Sequence, residues 1–98
     1  MPKLALAFSR PAAADYRNIT AFSVERFGRS VAAEYMAGLN AALNLLCGFP
    51  EMASVDGRYD PPARCLVHRS HRIFYRVEDG RVLVLRILHH AQNMPASL

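Results

Sequence analysis

The chain has no tryptophan, a single lysine and two cysteines in 98 residues, and its eight acidic side chains are outnumbered by twelve basic ones. Cys47 and Cys65 are too few for a disulfide framework, and isolated thiols stay free in a reducing compartment. Long apolar runs are also missing. The most apolar stretch, Val31 to Cys47, is interrupted by Glu34 and Asn40 and falls short of the roughly 20 residues a bilayer span needs. The start, Met1-Pro2-Lys3-Leu4, carries neither a charged leader nor an apolar region with a cleavage site, so no signal peptide and a cytoplasmic location are expected. What is abundant is apolar mass: 52% hydrophobic against 20% charged residues excludes a disordered tail, and the length fits one domain over 1–98.

The net charge of +4 is unevenly placed. Residues 1–57 hold five basic and five acidic side chains, whereas from Arg58 onward seven arginines face Asp60, Glu78 and Asp79, and all four histidines lie in this second part. Such a surface attracts phosphate backbones or acidic protein segments. The plainer alternative is charged strand edges that prevent sheet-to-sheet association. Eleven arginines against one lysine suit bidentate binding of carboxylate or phosphate.

Lys3 to Phe8 reads as a short buried strand. Ser9 is a helix N-cap, and Pro11 is tolerated in the first turn, where its missing N–H has no partner to lose. Ala12, Tyr16, Ile19, either Phe22 or Ser23, and Phe27 then recur at helical spacing, and Gly28 ends the helix. After an Arg29-Ser30 break, Val31 or Ala32, Tyr35, Leu39, Ala42 or Leu43, and Leu46 mark a second helix ending at Gly48. So short a connection makes the two an antiparallel helical hairpin. Glu51 to Pro62 lacks periodicity and reads as an irregular crossing loop.

The remainder is β-rich: Arg64 to Arg69, Arg72 to Val77 and Val82 to His89. Asp79-Gly80 joins the last two as a two-residue hairpin turn, because both positions tolerate positive φ. That turn sets Val77 opposite Val82, Tyr75 opposite Val84, Ile73 opposite Arg86 and Arg72 opposite Ile87. One side then carries Ile73, Tyr75, Val77, Val82 and Val84. The other carries Arg72, Phe74, Arg76, Leu83, Leu85 and Ile87, and is expected to be open to a partner in part. The order is β-α-α-β-β-β, an α+β fold with a helical hairpin packed on a small, mainly antiparallel sheet, followed by a frayed tail, Ala91 to Leu98.

Single residues carry competing readings. Cys65, His68 and His71 stand at intervals of three, which in a strand points them to opposite faces, so no metal site and no cofactor are expected. Cys47 reads as a packed thiol, and Tyr16, Tyr35 and Tyr75 as core residues. Arg86, set among aliphatics, either pairs with an acid such as Asp15 or Glu34 or lies at the sheet rim. Arg69, Arg72 and Arg76 are candidates for partner contact, with Arg86 beside them.

Several segments together resemble the ParE/RelE superfamily of bacterial toxins, its ParE branch above all: Ser9-Arg10-Pro11-Ala12, Asp15-Tyr16, Ile19, Phe27-Gly28, Phe49-Pro50, the run His71 to Val77, and the closing Val82 to His90. The resemblance implies a toxin of a type II toxin–antitoxin module that is neutralised by a ParD-like antitoxin, acidic and partly disordered when free. A ParE-like member would block DNA gyrase by binding it, with no catalytic set. The alternative it implies is a RelE-like, ribosome-dependent mRNA endonuclease with Arg72, His89 and His90 as catalytic groups. Against it stand the absence of any lysine besides Lys3 and of any tyrosine after Tyr75. A third reading is a non-toxic remnant that only binds its antitoxin.

Overall fold

In the computed structural model, which describes residues 3–98, the chain runs β1 Ala5–Phe8, α1 Arg10–Phe27, α2 Arg29–Gly48, β2 Ser54–Asp56, β3 Ala63–His68, β4 His71–Glu78 and β5 Arg81–His89. Met1 and Pro2, part of the stretch on which the expectation of no signal peptide rests, lie outside the described residues. No helix among the described residues is long and apolar enough to cross a membrane.

The cap of α1 forms as its residues dictate. Ser9 Oγ accepts the Ala12 N–H at 3.1 Å and donates to the Leu85 carbonyl at 2.8 Å, so one hydroxyl starts the helix and ties it to the sheet. Gly28, at φ 85°, closes α1 and at once opens α2; the connection is this one residue, shorter than the break at Arg29-Ser30 suggests. Tyr16 donates to Asn40 Oδ1 at 2.7 Å, a contact between an early turn of α1 and a late one of α2 that antiparallel helices require.

The sheet has five strands in the order β1-β5-β4-β3-β2; β1 runs parallel to β5 and the other pairs are antiparallel. Two expectations need correction here. Residues 3–8 do not form a buried strand: β1 is an edge, with Leu6 42% exposed and only Leu4 and Phe8 packed inward. The segment 51–62 is also not wholly irregular, because Ser54–Asp56 pairs with Ala63–Cys65 as the opposite edge. Three residues are too few to show a period, so pairing with β3 decides this strand.

Asp79 and Gly80, at φ 53° and 70°, make the anticipated two-residue turn, and Val77↔Val82 and Tyr75↔Val84 pair as expected. Beyond them the register slips. Phe74 faces Arg86, Ile73 faces Ile87 and Arg72 faces Leu88, so Leu85 is the extra residue of a β-bulge. The slip moves Ile87 to the helix-covered face, where it joins Ile73, Tyr75, Val82 and Val84 against Leu39, Leu43 and Leu46 of α2.

The second face is not left open. Phe74, Leu85 and Leu88 are buried beneath Tyr59 and Ala63, and Met94 and Leu98 of the tail pack on them. Tyr59 donates to the Pro95 carbonyl at 3.1 Å. The tail expected to fray is therefore a cover strip, since the aliphatics of β5 would otherwise face water on this side.

Candidate functional site

Helix α1 buries a serine and exposes two phenylalanines. Ala12 and Ser23 are its buried residues, Tyr16 and Ile19 lie half-buried between them, and Phe22 and Phe27 are 61% and 57% exposed. The spacing 12-16-19-23 follows the inner face, so Phe22 and Phe27 fall to one side of it. With Val31 of α2 they line a groove of about 620 Å³ that runs toward the ends of β4 and β5, with Ile19, Tyr35 and Ile87 deeper in it. Large exposed apolar side chains gathered in one concavity mark a place where a macromolecule docks.

The far end of this groove is built from histidines. Two chain facts bring them together: Arg69, at φ 52°, turns β3 into β4 so that His68 pairs with His71, and the register of β5 sets His89 beside His71. His68 and His71 thus share a face, because the chain reverses between them; the interval of three does not separate them as it would along one strand, although Cys65 does point to the other face. The rings of His71 and His89 lie 5.4 Å apart and those of His89 and His90 4.4 Å. Among the described residues, no three His, Cys, Asp or Glu side chains are arranged to hold a metal ion.

Hydrogen bonding fixes these rings. Tyr35 of α2 is bonded through its hydroxyl to His71 Nδ1, the Ala91 N–H donates to His89 Nδ1 at 3.1 Å, and His90 Nδ1 donates to the Ser70 carbonyl, 3.2 Å away. Burial pushes His71 below its ordinary value of 6.5, and His89, His68 and His90 push it the same way. His68 is lowered by burial and then by Arg69, while its ring packs against Gly38 of α2. Burial raises Tyr35, so its hydroxyl keeps its proton.

The arginines are dispersed. Arg86 is held by Asp15, Nε to Oδ2 at 2.8 Å and an Nη to Oδ1 at 3.0 Å, which settles its choice of acid. Arg69 is exposed at the β3–β4 turn. Arg72 lies on the tail-covered face, with an Nη 3.7 Å from the Met94 sulfur, and Arg76 donates to the Pro61 carbonyl at 3.2 Å. Arg72 and His89 therefore project from opposite faces of the sheet, His89 into the groove and Arg72 under the tail. Sequence spacing did not reveal the groove itself; the one signal for it was the unresolved choice between Phe22 and Ser23.

A family model described as the ParE toxin of type II toxin–antitoxin system, parDE, matches residues 6–94. Toxin ParE1 of Caulobacter vibrioides is 36% identical over 90 residues, which cover 92% of this chain and 93% of that protein. A solved structure titled as the chromosomal ParDE TA system from P. aeruginosa shares the fold, with a TM-score of 0.71 at 22% identity over 89% of this chain and 96% of its own. The chain belongs to the ParE toxin family and is the toxin of a type II toxin–antitoxin system, a role that implies an antitoxin as its partner.

Proposed function

We propose that this toxin inhibits DNA gyrase by binding it, and that a ParD-like antitoxin neutralises the toxin by laying an amphipathic, acidic segment in the groove between α1, α2 and the ends of β4 and β5. The observation that carries the docking half is the exposure of Phe22, Phe27 and Val31 along one concavity. An occupant's apolar side chains would cover them, and a carboxylate at its end would meet exposed Arg69, next to the lining residues Ser70 and His71. Binding suits the site better than bond cleavage does, because Arg72 and His89, two of the three groups the nuclease alternative would use, stand on opposite faces of the sheet. Arg69, exposed at the β3–β4 turn, is the freest cation for the target; Arg72 and Arg76 can join it only beside their contacts with Met94 and Pro61, and Arg86 is engaged by Asp15 inside the fold.

The test is a growth assay paired with a supercoiling assay. Expression of the chain arrests growth, co-expression of the antitoxin relieves the arrest, and gyrase loses supercoiling activity while translated mRNA stays intact. Relief that is equally complete for Phe22→Asp and Phe27→Asp chains would remove the groove as the antitoxin's seat.

A further inference from the structure

Three arginines share the tail-covered face of the sheet and have no carboxylate. Arg72 and Arg76 flank Phe74 along β4, and Arg81 of β5 falls on the same face because its neighbour Val82 points to the helices. Among the described residues, ion pairs form at Arg58–Asp56 and Arg86–Asp15 alone, so none of the three is neutralised, not even Arg81 opposite Glu78. Each guanidinium carries five N–H donors. Arg72 uses one on the Met94 sulfur and Arg76 one on the Pro61 carbonyl, while Nε of Arg76 and Nε of Arg81 are covered by the protein with no acceptor.

We infer that this face binds the phosphodiester backbone of a nucleic-acid duplex, with Arg72, Arg76 and Arg81 each on a separate phosphate. The inference goes beyond the reading of Arg72 and Arg76 as contacts to a protein target and stands without it. Four residues of strand set Arg72 and Arg76 about 13 Å apart. Arg81 lies diagonally across from Arg76, about 7–8 Å away. Each strand of a duplex carries one phosphate per about 3.4 Å of axis, so cations at these intervals meet different phosphates. A guanidinium takes two phosphate oxygens side by side through a pair of its N–H groups, and turning outward onto a phosphate gives the stranded Nε an acceptor.

The rest of the face favours a nucleic acid over a protein. Protein interfaces are held by buried aromatic and aliphatic anchors. Here Phe74, Leu85 and Leu88 are already covered by Tyr59, Met94 and Leu98, and among the described strand residues of this face Val67 alone is large, apolar and exposed. Charge is what remains, and charge is what sequence-independent backbone binding uses. Glu78 and Asp79, both exposed, repel phosphate at the hairpin turn, so a duplex passes on the Arg72 side of them.

The test is fluorescence anisotropy of a short DNA duplex of arbitrary sequence, the matching RNA duplex and polyglutamate, each titrated with full-length toxin between about 50 and about 200 mM salt. Three phosphate contacts predict a log–log salt slope of about −2.7 on DNA, a loss of about fortyfold in affinity over that range. Binding of either duplex in this way supports the inference, and the tighter one names the source of the backbone. Arg72→Gln/Arg76→Gln/Arg81→Gln should weaken binding at least about tenfold at the low salt and flatten the slope to near zero. Arg17→Gln/Arg26→Gln/Arg29→Gln removes the same charge from exposed helix positions and should cost less than about threefold. Equal losses in the two variants would overturn the inference, as would failure to bind either duplex or polyglutamate held as tightly as the duplexes. Should the first variant not fold, the Nε–H magnetic resonance signals of Arg76 and Arg81 in the wild-type chain decide. Shifts on addition of duplex support the inference, and signals unmoved at saturation overturn it.

Discussion

Asp15 reaches across 71 positions of sequence to Arg86 and, with the same Oδ2 that takes the guanidinium Nε, accepts the Ile87 N–H at 2.9 Å. Ile87 lies just past the bulge, where β4 and β5 change register and a strand N–H can lose its partner. One carboxylate therefore binds helix α1 to the sheet, neutralises a partly buried arginine and satisfies the backbone beside the irregularity. Removing it leaves a half-buried cation and a backbone donor unpaired. Asp15→Ala should cost about 2–4 kcal/mol in urea unfolding, and Asp15→Asn, which keeps an acceptor, about half as much. Losses under about 0.5 kcal/mol for both would show that the contact is incidental.

Phe22 and Phe27 separate stability from binding. Both are mostly exposed, so Phe22→Asp and Phe27→Asp should change unfolding free energy by no more than about 0.5 kcal/mol. Each should weaken antitoxin binding by about 2 kcal/mol or more in titration calorimetry, as loss of a buried aromatic anchor does. A large loss of stability with affinity intact would reverse the assignment of these side chains to the interface.

The tail makes a contrasting prediction. Met94 and Leu98 cover Phe74, Leu85 and Leu88, so deleting residues 94–98 should lower stability by about 2–3 kcal/mol and raise binding of an apolar dye. Arg72 reaches the tail with an Nη 3.7 Å from the Met94 sulfur; Arg72→Ala should leave the fold intact and reduce toxicity. Full toxicity in that variant would exclude Arg72 from the target-facing surface.

Acid should destabilise the free chain through His68 and His71. Both are pushed below the ordinary value of 6.5 in the folded state, chiefly by burial, so the unfolded chain takes up protons first as the pH falls. Their contribution to stability is complete above about pH 6.5 and is lost as the pH drops through their lower native values. Thermal melting should show this decline, and His71→Gln should flatten it. A melting temperature that rises on acidification over this range would contradict the sign.

How far these features could be read from the sequence depended on how local their causes are. The Ser9 cap, the Gly28 stop and the Asp79-Gly80 turn each depend on one or two residues and appear where those residues stand. Features set by distant partners stayed hidden. The bulge at Leu85 arises between two strands, and neither strand announces it. β2 exists because β3 pairs with it, and the tail orders because β5 offers an apolar face. The site belongs to this second group. Phe22 and Phe27 have the composition of core residues and become surface only because Ser23 turns inward, while the four histidines, separated by up to 22 positions, meet only after the sheet is assembled.

This toxin is proposed to act by holding a macromolecule. Titrating purified chain into a DNA gyrase supercoiling reaction tests it most directly. Loss of supercoiling at stoichiometric toxin, reversal by the antitoxin, and no cut in mRNA translated alongside are expected. Undiminished supercoiling together with ribosome-dependent cleavage of that mRNA would contradict it.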